Sequence, residues 1–257
     1  MEPGEYLSAL RADGTAVLEA GRKGLHPDVP STPGWTVRDV IAHLGQVHRE
    51  KAHIVRESLL DEPPGRPEAP SDDELLEWFA DGLHDLIGAL SVADPHTKVH
   101  TWHDPDQSVG FWIRRMAHET LIHRVDAELG HGSHGPVDPI LAADGVDEIL
   151  DVFMSGHPPW AEVNRSSVVV ELRCEGKSWR LRLLSWSGTS PRSGRAFEDE
   201  AGFEFERDDA EPNAVIRGSG DAMNLFLWGR GSADGLTVEG HPSVLLYLRD
   251  LAAESTG

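Results

Sequence analysis

Apolar residues recur with helical spacing as far as about residue 154 and with strand-like alternation beyond it. Tyr6, Leu7, Leu10, Ala16, Val17 and Leu18 predict a first helix ending near Gly24. A loop with Pro27, Pro30, Pro33 and Gly34 follows. Thr36-Val37-Arg38-Asp39 then has the form of a capping box, a hydroxyl with an acid three residues on. Val37, Val40, Ile41, Leu44 and Val47 continue from it as an amphipathic second helix running towards Leu59. After a proline-rich loop over 61–70, Ser71 to Glu74 opens a third helix with Leu75, Leu76, Phe79, Leu83, Leu86, Ile87 and Leu90 on its core side. A fourth helix is expected from about Ser108 to Leu129, stopping at Gly130, and a fifth from Pro139 to Met154.

The period changes at Gly156-His157-Pro158-Pro159. Segments 168–173, 179–184, 203–206, 214–217 and 236–240 predict strands, and 220–228 and 243–253 predict helices. The expectation is therefore a two-domain α+β chain, with a helical bundle over 1–156 and a small α+β domain over 157–257.

Three polar residues interrupt the apolar faces. Trp112, Met116, Glu119, His123 and Ala127 recur on one face of the fourth helix, with Glu119 and His123 four apart and about 40° apart around the axis. His43 lies on the apolar face of the second helix, between Val40 and Val47. A carboxylate and two imidazoles so placed must be hydrogen-bonded, ion-paired or bound to a metal. His118-Glu119 evokes the zinc-protease pattern H-E-x-x-H, but the next histidine comes one residue late. His118 and His123 therefore diverge by roughly 140° and cannot grip one ion together. His43, Glu119 and His123 would supply two nitrogens and one oxygen with a position left open, the ligand count of catalytic zinc. Nickel, iron and manganese are also compatible with these residue types. Asp126, three beyond His123, is placed either to accept from the free ring nitrogen or to act locally or in solvent. The competing reading is an ion pair of Glu119 with Arg115, one turn earlier, beside a core histidine at 43.

Composition narrows the choice of partner. With 44 acids against 23 bases the net charge is −21, which repels nucleic acid and anionic lipid, so a small anionic substrate needs a locally basic pocket. No apolar run is long enough to span a membrane, and the first residues lack the blocks of a signal peptide. The single cysteine, Cys174, excludes an internal disulfide framework and a multi-cysteine zinc site, and suits a reducing cytoplasm. Trp102, Trp112, Trp160 and Trp228 are available to wall a pocket, although core packing is the commoner use of tryptophan. A bundle packed on its own second domain needs no partner to bury its core, so a monomer is expected.

Five segments carry a resemblance to a known family: GWTVRDVIAHL at 34–44, RRMAHETLIHRVDAELG at 114–130, DGVDEIL at 144–150, GDAMNLFLWGR at 220–230 and LTVEGHPSVL at 236–245. They resemble the mycothiol-dependent maleylpyruvate isomerase family, whose helical domain belongs to the DinB superfamily of metal-binding four-helix bundles and whose C-terminal domain is sterol-carrier-like. The resemblance implies metal ligation by His43, Glu119 and His123, and an active-site arginine at Arg230. It implies a divalent metal, expected to be Zn2+, and mycothiol as thiol cosubstrate. In that reading a metal-bound thiolate adds to maleylpyruvate, the former double bond rotates, and thiol leaves to give the trans isomer. Arg230 would hold a substrate carboxylate or offset enolate charge. Two alternatives stand beside it: mycothiol S-transfer to another electrophile, and a non-catalytic module that binds an apolar ligand.

Overall fold

The computed structural model describes residues 1–63 and 65–256. Pro64, in the proline-rich loop expected over 61–70, and Gly257 lie outside the described residues. The chain divides into two compact units, Met1–Val137 and Asp138–Gly257.

The first unit holds four helices of 21 residues each: α1 (Pro3–Lys23), α2 (Val37–Glu57), α3 (Asp72–Val92) and α4 (Val109–Leu129). The predicted start of α2 is real in full. Thr36 Oγ1 accepts from the Asp39 amide, and the Asp39 carboxylate accepts from the Thr36 amide at 2.8 Å. Val40, Ile41 and Leu44 are fully buried. Gly45 lets α2 and α3 approach closely, because a β-carbon there would collide with the Trp78 ring.

α4 departs from the expected amphipathic stripe. Fifteen of its residues are buried and cover nearly every side, including Arg115, His118, Thr120, Arg124 and Asp126. It packs mainly on α1, also on α2, and touches α3. Between Gly110 and Glu128 only Arg114, Glu119 and His123 keep partial exposure. Glu119 and His123 thus line an access to solvent rather than point into the core. His43 is likewise one of the partly exposed positions on a largely buried α2.

The second unit begins with α5 (Pro139–Glu148), which continues through a wider π-type turn, Ile149–Met154. Strands β1 (Glu162–Cys174), β2 (Lys177–Thr189), β3 (Ala196–Phe205), β4 (Ala214–Arg217) and β5 (Thr237–Gly240) form one sheet, with α6 (Gly220–Leu227) and α7 (Ser243–Thr256) completing the unit. The sheet order is β3-β2-β1-β4-β5, antiparallel except for the β1–β4 pair. Tyr247 of α7 is tied to the sheet: its hydroxyl donates to Gly202 O at 2.7 Å and accepts from the Gly202 amide.

The sequence reading divides the chain at 156/157, whereas α5 groups with the second unit. Its packing explains this. Gly145 of α5 lies against the fully buried Asn224 of α6, and the start of α6 touches the Pro139 carbonyl. No helix among the described residues is long and apolar enough to cross a membrane.

Candidate metal centre

α2 and α4 bring His43, Glu119 and His123 together. One ligand atom from each lies within 4.8 Å of the others. Glu119 Oε1 is 3.2 Å from His43 Nε2 and 3.5 Å from His123 Nε2. Ligands at about 2.1 Å from a tetrahedral ion stand about 3.4 Å apart, so these separations already suit one small divalent cation. The donor set of two imidazoles and one carboxylate suits such an ion, and partial exposure leaves room for a fourth ligand.

Neighbouring groups fix each ligand. His123 Nδ1 lies 2.9 Å from Asp126 Oδ2, which leaves Nε2 for an ion. Asp126 is fully buried, which settles its role against the solvated alternative, and its other oxygen accepts from Ser31 Oγ at 2.6 Å. Glu119 divides its two oxygens: Oε1 faces the imidazoles while Oε2 accepts from Arg115. The ion pair of the competing reading is present, and it engages Oε2 while Oε1 stays turned to the imidazoles. His43 is no core histidine, since its side chain is 26% exposed. Trp35 covers both imidazoles, its ring centroid 5.3 Å from His43 and 6.2 Å from His123, nearly parallel to the latter.

Electrostatics keep the site charged. Burial would raise the Glu119 carboxyl, but Arg115, followed by His123 and His43, holds it well below the usual carboxylate range. Burial would lower the His123 imidazole, yet Asp126 and Glu119 raise it to about 9. In the metal-free site a proton therefore occupies the place of an ion on His123, and metal binding must displace it. Replacing Asp126 by Asn keeps the shape and removes the charge. Its metal affinity should fall by about 10- to 100-fold in equilibrium dialysis, and unchanged affinity would deny Asp126 that supporting part.

His48, one turn and a half beyond His43, is fully buried and shares a 2.9 Å hydrogen bond with Thr120 Oγ1. Burial lowers its pKa from 6.5 to about 3. The unfolded chain takes up a proton at His48 between those values while the folded chain does not, so folding stability falls as pH drops through that window. The slope from this group is about 1.4 kcal/mol per pH unit. Urea unfolding of the metal-free protein between pH 4 and about 6.5 should show a shallower loss in His48→Gln, by up to one proton. Equal slopes would mean that His48 protonates without cost in the fold.

The other sequence candidates fall elsewhere. His118 is buried against the edge of the Tyr6 ring, away from the ligand set. Trp112 is core, with its indole nitrogen donating to His100 O, whereas Trp102 is half exposed. Trp160 packs on Trp186 and Phe197, and Trp228 on Phe153. Arg230 lies in the second unit, in the turn after α6, where Nη1 donates to Trp228 O at 2.6 Å.

Two family models cover most of the chain: the mycothiol maleylpyruvate isomerase N-terminal domain matches residues 7–128, and the C-terminal domain of the same family matches residues 141–246. The chain belongs to the mycothiol-dependent maleylpyruvate isomerase family. Two solved structures are similar in fold. A crystal structure of the mycothiol-dependent maleylpyruvate isomerase aligns at TM-score 0.58 and 15% identity, covering 93% of both chains. A histidine-to-alanine mutant of the mycothiol-dependent maleylpyruvate isomerase aligns at TM-score 0.61 and 14% identity, again over 93% of both chains. Among curated proteins, none matches the chain.

Sequence reasoning missed Trp35, Ser31 and the supporting part of Arg115. The signal for Trp35 was its place immediately before the Thr36 cap, which ties the loop it belongs to against the start of α2.

Proposed function

We propose that the protein is a metal-dependent, mycothiol-using enzyme of the maleylpyruvate isomerase type. The observation that carries this reading is the convergence of His43, Glu119 and His123 within 4.8 Å in a chain that both family models match. A divalent cation held there, expected from the family resemblance to be Zn2+, would lower the pKa of a coordinated thiol so that thiolate is present at neutral pH. His43 and His123 would hold it through Nε2 and Glu119 through Oε1. Asp126 holds the His123 ring in the ligating orientation, and Arg115 keeps Glu119 ionised. Trp35 shields one side of the imidazoles from water.

The thiol must come from a cosubstrate, because Cys174 is buried in the second unit and burial raises its pKa to about 11. In the isomerase reading the thiolate adds to one alkene carbon and the electron pair moves onto the conjugated carbonyl. The resulting single bond rotates, and return of the pair expels thiolate and leaves the trans alkene.

Metal-loaded protein incubated with mycothiol and maleylpyruvate tests the reading. The expected result is conversion to fumarylpyruvate with the thiol recovered in full. A stable thioether, with thiol consumed, would instead establish S-transfer. Neither product would overturn the enzymatic reading for this electrophile.

A further inference from the structure

The second unit carries a cleft of about 420 Å³ that shares no residue with the metal centre. Trp186 of β2 and Phe197 of β3 wall it, and Phe153 of the π-type turn, Glu200 of β3 and Glu254 of α7 complete the lining. Trp160, Trp186 and Phe197 meet pairwise, with ring centroids 5.3 to 5.8 Å apart, and all three keep partial exposure. Packed rings that all reach the surface add little to a core and mark a binding patch. Backbone geometry aims them together. Opposite the step from Trp186 to Gly188 on β2, β3 runs from Glu200 to Phe197, one residue more. The extra residue makes a bulge, and Asp199 within it has φ 54°, a left-handed backbone that L residues rarely adopt. On a regular strand Phe197 and Glu200, three apart, would point to opposite faces. The bulge puts both beside Trp186, so that rings and a carboxylate line one cleft. Ser187 Oγ accepts from the Asp199 amide at 2.9 Å and holds the bulge. Gly188 serves the same group, since a β-carbon there would press to 3.1 Å from the Trp160 ring.

The chemistry of this lining selects a cation. Aromatic faces are electron-rich, and Glu200 and Glu254 add two carboxylates. His157 is the one described lining residue able to become positive. The ring group already holds a cation on its outer side, where the Arg195 guanidinium lies 4.8 Å from the Phe197 centroid. An anion would meet both carboxylates and is disfavoured. Ring walls suit a weakly hydrated cation better than a compact ammonium, which holds its water strongly. We propose that this cleft binds a small alkylated ammonium ion, in its simplest form a quaternary amine. A volume of about 420 Å³ suits a free small molecule. A lipid headgroup would bring its phosphate against the two acids. The inference does not rest on the functional reading above, because it uses none of the metal-site residues.

Isothermal titration of the purified protein with choline tests this, with 3,3-dimethylbutanol, its uncharged isostere, as the control. Choline should bind with a Kd of about 1 mM or tighter, and the alcohol about tenfold more weakly. Phosphocholine, which adds the phosphate of a lipid headgroup, should also bind more weakly than choline. Trp186→Leu keeps apolar bulk but removes a ring face, and should weaken choline about 3- to 30-fold. Glu200→Gln should weaken it about 3- to 10-fold at low salt, and less as salt rises. The proposal is overturned if choline does not bind, binds no tighter than the alcohol, or binds Trp186→Leu as tightly as the wild type. Should Trp186→Leu fail to fold, Glu200→Gln decides, and unchanged choline affinity there overturns the proposal. Phosphocholine binding more tightly than choline would assign the cleft to a lipid headgroup and overturn the free-ion reading.

Discussion

His123→Ala should abolish stoichiometric metal retention and lower thiol-dependent turnover by about a hundred- to a thousandfold, the scale expected when the main electrostatic element of a site is lost. His123 Nε2 is aimed at Glu119 Oε1 and His43 because Asp126 holds the opposite ring nitrogen. Alanine removes a ligand that no neighbour replaces, since the nearest other histidine on α4, His118, is turned towards Tyr6. His43→Ala should behave in the same way. His118→Gln should retain its metal, although it disturbs buried packing and lowers the unfolding midpoint. Elemental analysis of the purified variants checks all three. Full occupancy in His123→Ala, or loss in His118→Gln, would mean that the ligand set is drawn on the wrong histidines.

The second large effect is on stability. Glu119→Ala should destabilise the metal-free protein by about 3–5 kcal/mol, because it breaks a buried ion pair with Arg115. Arg115 is only 5% exposed and cannot reach water without opening the bundle. Adding Arg115→Met to Glu119→Ala should recover most of this loss, since the buried charge is then gone and an apolar side chain of similar length fills the space. Denaturant unfolding of the three metal-free proteins gives the numbers. A loss under about 1 kcal/mol in Glu119→Ala would place Arg115 in contact with solvent, at odds with its burial. Neither variant should hold metal, which separates the structural part of Glu119 from its ligating part.

Much of this site was legible because its ligands interrupt local patterns. His43 stands where α2 calls for a leucine, and Glu119 with His123 shares the i, i+4 relation on α4. The direction of that face was misjudged. α4 is buried on nearly all sides, so its polar positions are diluted among buried Arg115, His118, Thr120, Arg124 and Asp126, and its true opening falls on the ligands themselves. Trp35 and Ser31 were not legible as site residues for a different reason. Ser31 and Trp35 belong to a loop whose fold-back is fixed by long-range bonds, among them Ser31 to Asp126 across 95 residues.

Strand lengths show the same limit. The predicted six-residue strands become β1 and β2 of 13 residues each. The polar stretches 162–167 and 185–189 join the ladder through backbone pairing, and an irregularity between Arg165 and Val169 breaks the alternation that a sequence pattern would need. The unit boundary was placed late because α5 has the composition of a bundle helix. Its partner, α6, lies some 75 residues further along the chain.

His43, Glu119 and His123 are proposed to hold a divalent cation that takes up an external thiol. Cobalt(II) substituted into the metal-free protein and titrated with mycothiol tests it most directly. The predicted result is stoichiometric cobalt and a thiolate-to-cobalt charge-transfer absorption that saturates with thiol and is absent from His43→Ala and His123→Ala. Cobalt that fails to bind stoichiometrically, or a spectrum that thiol leaves unchanged in the wild-type protein, would contradict it.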